Sequence, residues 1–334
     1  MPNDWSGPTG SRTAPAPAPA TAPATARAPA DVPVVAVVGA TAAGKTELSL
    51  DLAEALGGEI VNTDAMQVYR GMDIGTAKLP VEERRGIPHH LLDLLDVSEP
   101  ATVAQFQVLA RDVVADCRDR GAVPILVGGS ALYTRAVLDR FEFPGTDPEV
   151  RARLEAELDT AGSGELHRRL AEVDPEAASR IIPANGRRVV RALEVVEITG
   201  KPFSATLPDP TYVLERTVQV GVRIPRPVLD ARIELRVRRM WDEGLVEEVR
   251  RLAGAGLREG RTAHRALGYQ QVLTFLDGEC SEEEAFERTV FGTRRFARRQ
   301  ESWFHKDPRI AWVDWDDPDR ARLATAVVEA TGTG

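Results

Sequence analysis

The chain has 334 residues, 43% hydrophobic and 28% charged, with 51 Asp+Glu against 42 Lys+Arg for a formal net charge of −9. That length suits one large domain or two modest ones, and the acidic average argues against a nucleic-acid partner, whose phosphates need cations. The longest nearly uncharged apolar run, Val32 to Ala43, is far short of the ~20 residues that span a bilayer. Cys117 and Cys280 stand alone, which excludes a disulfide framework and a zinc ribbon and points to a reducing, cytoplasmic setting with no membrane partner. Only four of the cations are Lys and 38 are Arg, the side chain suited to two-pronged phosphate and base contacts.

Along the chain, the first 30 residues hold nine Ala and seven Pro. Such a composition favours extended, polyproline-like conformations and predicts a disordered tail over 1–31. Val32–Val38 is a β-branched run bounded by Gly39 and reads as a buried parallel strand. Thr46 to Leu56 has helical spacing, with Leu48, Leu52, Ala55 and Leu56 on one face. Glu59–Asn62 reads as a strand, Val103 to Arg120 as a helix, and Val123–Val127 as a third apolar strand. This alternation predicts a parallel α/β sheet. After Phe143-Pro144-Gly145 the pattern turns helical over Pro148–Ala161, Glu165–Glu172, Pro175–Ile182 and Arg187–Thr199. Residues 217–224 alternate as a strand does, and amphipathic helices are expected near 226–254, 281–304 and 317–330. The expected fold is α/β: a P-loop NTPase- or kinase-like parallel sheet core over 32–143 and 212–334, with a helical insertion domain over 144–211.

Gly39-Ala40-Thr41-Ala42-Ala43-Gly44-Lys45-Thr46 fits GxxxxGK[ST] between a strand and a helix. Small residues let backbone N–H groups close around phosphate oxygens, and the helix N-terminus adds partial positive charge. Lys45 reaches the outer phosphates, and the Thr46 hydroxyl is the candidate Mg²⁺ ligand. The motif announces a di- or triphosphate without naming ATP. A kinase, an NTP-driven switch or motor, and an enzyme using another diphosphate all fit. A motor needs a second carboxylate at a strand end, and Pro124–Val127 runs into Gly128-Gly129-Ser130 instead. Asp64 ends the strand that begins at Glu59. Carboxyl ends of parallel strands line the crevice, so Asp64 is a candidate general base or metal ligand, or alternatively a cap or turn residue.

The stretch Asp64-Ala65-Met66-Gln67-Val68-Tyr69-Arg70-Gly71-Met72-Asp73-Ile74-Gly75-Thr76-Ala77-Lys78, with the phosphate loop, resembles the tRNA dimethylallyltransferases of the IPP transferase family. Supporting segments across 33–315 are Pro88-His89-His90-Leu91, Leu126 to Tyr133, Asp147-Pro148-Glu149-Val150-Arg151, Arg191-Ala192-Leu193-Glu194 and Gly268-Tyr269. The resemblance implies transfer of a dimethylallyl group from dimethylallyl diphosphate to the N6 amine of the tRNA adenosine immediately 3′ of the anticodon. It implies Mg²⁺ as cofactor, the tRNA anticodon stem-loop as partner, and a monomer. Asp64 would take the amine proton, Thr41 would sit at the bridging oxygen, and Arg236 would join Lys45 and Mg²⁺ on the leaving diphosphate. By the same resemblance tRNA contacts fall to Asp64, Ala65, Met66, Gln67, Ser130, Arg151, Arg187, Arg188, Val189, Val190, Arg191, Arg265, Gly268, Tyr269 and Gln270. The chain departs from the family pattern at Ala65, where Ser is common, at Ala40 for Pro, at Ser130 for Thr, and at Gln270, where a basic residue is common. None of these removes an expected catalytic group.

Charge is uneven. Six cations face one acid between Arg288 and Lys306, whereas 142–176 holds ten acids and four arginines. Arg294-Arg295 and Arg298-Arg299 place like charges i,i+4, at a small cost that a phosphate partner or an acidic helix would offset. Tyr133 and Tyr269 are candidates to stack on a base, while Trp303 and Phe304 are expected to pack inward. The histidines show no metal-ligand spacing. A P-loop small-molecule or nucleotide kinase is the competing reading, and a non-catalytic RNA-binding protein the third. The DIGTAK run and the arginine segments favour prenyl transfer over the second, and intact Lys45, Thr46, Asp64 and Arg236 argue against the third.

Overall fold

The computed structural model describes residues 29–141, 143–203 and 210–331. Most of the tail expected over 1–31 lies outside the described residues. Pro29–Asp31 form a short 3-10 turn, and Arg118 donates to the Pro29 and Ala30 carbonyls.

Six parallel strands make one sheet in the order β3-β2-β4-β1-β5-β6. They are β1 (Val34–Val38), β2 (Gly58–Asn62), β3 (His89–His90), β4 (Val123–Gly128), β5 (Thr217–Arg223) and β6 (Ile310–Asp314). Side chains alternate across the pleat. Val34, Ala36 and Val38 enter one apolar layer and Val35 and Val37 the other. The first layer is closed by α2 (Val103–Asp119), α3 (Ala131–Leu138), α8 (Leu245–Ala253) and α9 (Tyr269–Leu276). The second is closed by α1 (Lys45–Leu56), α7 (Arg226–Asp242), α10 (Glu282–Phe304) and α11 (Arg320–Ala330). Burial on both faces explains why the central strands read as unbroken apolar runs.

The strand ends of β1, β2 and β4 lie side by side. A Cβ on Gly128 would collide with Thr63, so glycine is what lets the ends of β2 and β4 approach. The short strands β3 and β6 and the helices α3 and α9 were not legible in the sequence. The helix expected over 226–254 is two helices, because Gly244 takes φ 97° and ends the first turn-continuous stretch.

The chain leaves and re-enters this core at one place. Asp139 bridges Tyr212, the Arg140 N–H donates to the Thr211 carbonyl at 2.9 Å, and the Val213 N–H donates to Leu138 at 2.8 Å. Between lie α4 (Pro148–Val173), broken at Gly162 with φ 81°, then α5 (Pro175–Arg180) and α6 (Gly186–Thr199). Leu154, Leu166, Leu170, Val189, Val190 and Leu193 form an apolar cluster of their own, apart from the two layers of the sheet. Among the described residues no helix is long and apolar enough to cross a membrane.

Candidate active site

The phosphate loop follows β1. Gly39 (φ 141°), Ala42 (φ 63°) and Gly44 (φ 102°) take positive φ, and Gly44 leads into α1 with no side-chain cap. The first-turn N–H groups of α1 therefore remain free for an anion. Lys45 Nζ donates to the Ala40 carbonyl at 2.7 Å. Arg236, from α7, donates to the Thr76 carbonyl at 3.3 Å. Neither forms an ion pair among the described residues. Burial, then the Arg236 charge, push the Lys45 ammonium down from 10.5 to about 8, against a smaller upward pull from Asp64. Burial also lowers Arg236, with Asp64 opposing.

Asp64 sits where β2 ends. Its N–H donates to Asn62 Oδ1 at 2.9 Å, and Asp64 Oδ1 accepts the Met66 N–H at 2.9 Å. One oxygen thus holds the turn and the other has no partner among the described residues. The turn reading and the base reading of this residue are compatible. Thr41, Lys45, Thr46, Asp64, Gln67 and Arg236 line one cavity of about 110 Å³. A larger open cleft of about 690 Å³ shares Lys45, Thr46 and Arg236 with it, so these three groups stand at a waist between two openings.

Glu248, Gln300 and Arg232, which hold the loops of the site, escaped the sequence reading. Glu248, 4% exposed on α8, accepts the N–H groups of Asp73 (3.1 Å), Ile74 (2.9 Å) and Gly75 (3.2 Å) and the Tyr269 hydroxyl (2.5 Å). Lys78 is buried on the Tyr69 carbonyl, Asp73 and Asp93. The DIGTAK run is therefore a scaffold that fixes the Thr76 carbonyl, which Gln67 and Arg236 share. Gln300 on α10 bonds Thr41 and Gly129, and Arg232 Nε donates to the Ala42 carbonyl at 2.8 Å. One signal was available: Glu248 and Gln300 stand in line with apolar positions of their helices, Leu245, Val249 and Leu252 for one and Ala297 and Phe304 for the other. A polar residue on a core-facing stripe needs a buried partner.

The residues expected to touch tRNA divide into groups. Ala65, Met66 and Gln67 are half-buried beside Asp64, and Ser130 is half-buried at the start of α3. Arg187, Arg188, Arg265 and Gln270 are exposed, and Gly268 (φ 90°) opens α9. Arg151 and Arg191 both pair with Glu194, which is fully buried. Val189 and Val190 face the insertion's own core, so their side chains offer no contact surface. Tyr269 is fully buried, its hydroxyl on Glu248 and its ring where a side chain at Gly75 would lie, so it presents no face to a base. Tyr133 packs on Phe106 at 4.8 Å and is likewise buried. Phe304 is buried as expected. Trp303 is 57% exposed on the outer side of α10, against the expectation of inward packing. His90 meets Glu59 and Cys117, a cluster no linear spacing announced; Arg120 holds both Glu59 oxygens, and burial pushes the Cys117 thiol up to about 12.

A parallel sheet with a phosphate loop at the end of β1 and the Asp64 carboxylate at the end of β2 defines a P-loop α/β core. Comparison with known proteins agrees. The sequence model of the IPP transferase family matches residues 67–307. A tRNA dimethylallyltransferase of a Nocardioides species is 68% identical over 301 residues, covering 90% of this chain and 97% of that protein. The full-length tRNA isopentenylpyrophosphate transferase of Bacillus halodurans superposes with a TM-score of 0.66 at 39% identity, covering 90% of this chain and 97% of that one. A eukaryotic dimethylallyltransferase, seen acting on tRNA, superposes with a TM-score of 0.76 at 27% identity, covering 89% and 78%. The chain belongs to the IPP transferase family.

Proposed function

We propose that this chain transfers a dimethylallyl group from dimethylallyl diphosphate to the N6 amine of the tRNA adenosine immediately 3′ of the anticodon. The observation that carries the reading is a single cavity lined by Lys45 and Arg236, two cations without acidic partners among the described residues, and by the Asp64 oxygen that makes no hydrogen bond among them. The relatives' names supply the dimethylallyl group and tRNA as the molecule that receives it, and they do not support a kinase.

The residues divide the reaction between them. An exocyclic adenine amine is a weak nucleophile because its lone pair is delocalised into the ring. Holding it against the allylic carbon removes much of the entropic barrier. The base must leave its stack to reach so enclosed a site. As the N–C bond forms and the C–O bond to diphosphate breaks, the amine proton passes to the free oxygen of Asp64. Charge builds on the diphosphate, where Lys45, Arg236 and the loop's N–H groups stabilise the transition state more than the ground state. Thr41 stands beside this leaving group.

The donor set fits Mg²⁺. The Thr46 hydroxyl is exposed and makes no hydrogen bond among the described residues, and Mg²⁺ is commonly held by one or two protein oxygens together with substrate phosphates and water. Bound there, the ion would neutralise charge on the diphosphate. The segment 144–211, with its own apolar cluster and the exposed Arg187 and Arg188, is the part we assign to gripping the anticodon stem-loop.

The deciding assay combines purified protein, Mg²⁺, unmodified tRNA carrying adenosine next to the anticodon, and labelled dimethylallyl diphosphate. Label is expected in that adenosine. An unlabelled tRNA, with phosphate transfer from ATP to a small acceptor instead, would replace this reading with the kinase.

A further inference from the structure

We propose that Gln300 is a positioning residue that aims the Thr41 hydroxyl at the departing diphosphate and registers the phosphate loop against the loop that opens α3. The role rests on the prenyl-transfer reading of the site. Gln300 comes from α10, far from both loops in sequence, and is 5% exposed. Its Oε1 accepts the Thr41 N–H at 2.9 Å, and its Nε2 donates to the Gly129 carbonyl at 2.8 Å. A carboxamide does both through one rigid plane, accepting on one side and donating on the other.

Three features make this more than a filled gap. First, the Thr41 hydroxyl makes no hydrogen bond of its own among the described residues, so its position is set through its backbone. Second, the Thr41 N–H is occupied by Gln300 and is unavailable to a phosphate oxygen, which leaves the hydroxyl as the Thr41 group able to reach the leaving group. Third, a Cβ on Gly129 would collide with Gln300 Nε2, so the absence of a side chain at 129 is what admits the amide. Gly129 precedes Ser130, on the side where tRNA is expected. One side chain thus ties the diphosphate side of the cavity to its acceptor side. Without it, a half-buried N–H and a buried carbonyl lose their partners at once, and the loop is free to shift by the fraction of an ångström that matters to a reacting group.

The test is single-turnover transfer with saturating substrates in the full chain. Gln300→Ala is expected to slow the transfer step by about 10²-fold, the scale set by a misplacement of about 1 Å, with the KM values for tRNA and dimethylallyl diphosphate little changed. Gln300→Met keeps the volume and removes both bonds, so it decides the matter if the alanine variant folds poorly. Gly129→Ala, which expels the amide from the other side, should reproduce the loss. Coupling separates positioning from a general structural role: Thr41→Ala combined with Gln300→Ala should be no slower than Thr41→Ala alone. A near-normal rate for Gln300→Met, or losses that multiply in the double variant, would overturn the proposal. Wild-type protein assayed in parallel tests the transfer reading by itself: an inactive wild type overturns both, and an active wild type beside an unimpaired Gln300→Met overturns only the role of Gln300.

Discussion

The crevice and the insertion treat positive charge in opposite ways. At the crevice, Lys45, Arg232 and Arg236 donate to backbone carbonyls, those of Ala40, Ala42 and Thr76, Arg232 also lies over the Trp315 ring, and no acid among the described residues pairs with them. In the insertion, Arg151, Arg153, Arg168, Arg169, Arg180 and Arg191 are each paired with glutamates. Among the insertion's arginines Arg187 and Arg188 are the exceptions, exposed and without an ion pair among the described residues. A cation is available to a ligand only where the fold has not already neutralised it. The net charge of −9 therefore says little about binding. What matters is which unpaired cations stand where a ligand can reach them, and these include Lys45, Arg232 and Arg236 at the crevice and Arg187 and Arg188 on the solvent face of the insertion.

The sharpest way to break this picture is at Asp64, the acid that faces the unpaired crevice cations without bonding them. Asp64→Asn keeps the Oδ1 that accepts the Met66 N–H, so the turn survives, while the proton acceptor is lost. The transfer rate should fall by about 10²-fold or more, as for loss of a positioned general base, with diphosphate binding retained. Rates near wild type in a rapid-quench measurement would reduce Asp64 to a turn residue.

Lys45 gives the next effect. With its ammonium lowered to about 8, the cation is present below that pH and lost above it. The free-enzyme profile of kcat/KM for the allylic diphosphate should be level below pH 8 and fall about tenfold per unit above it. A bound diphosphate favours the charged form, so kcat should hold to higher pH than kcat/KM. The stability effect has the reverse sign. A lysine whose folded value lies below its ordinary 10.5 makes the fold more stable as pH rises between the two, so the fall in kcat/KM is not unfolding driven by this group. A kcat/KM that stays flat to about pH 9.5 would show that Lys45 remains fully charged.

The crevice and the insertion also differ in how much of them the sequence revealed. The phosphate loop and Asp64 were legible because each is a local signal: a glycine pattern after an apolar run, and a carboxylate ending one. The insertion's helices were legible from their period, including the break that falls at Gly162. Partners were not legible. Glu248, Gln300 and Arg232 act on backbone groups some 170 to 260 residues away, and no window of sequence contains both ends. Arg236 entered only through family resemblance. The same limit explains the misread aromatics. Tyr269 turns inward because its hydroxyl bonds Glu248 from another helix, and Trp303 faces solvent because the buried row of α10 runs through Ala297, Gln300 and Phe304.

The finest prediction asks whether unpaired charge is what grips tRNA. Arg187 and Arg188 stand at the start of α6, capped by Asn185, and no acid among the described residues pairs with them. If they meet phosphates, each alanine substitution should weaken tRNA binding roughly equally across tRNA sequences and lower the slope of log affinity against log salt by about 1. Arg168 is the control. It is equally exposed but held between Glu165 and Glu172, so Arg168→Ala should leave the slope unchanged. Because the chain as a whole carries a net charge of −9, the attraction is local and should fade as the Debye length shrinks. Filter-binding across a salt series distinguishes the cases. If Arg168→Ala changed the slope as much as Arg187→Ala, ion pairing within the insertion would not hold back its cations, and the contrast between the two regions would lose its physical basis.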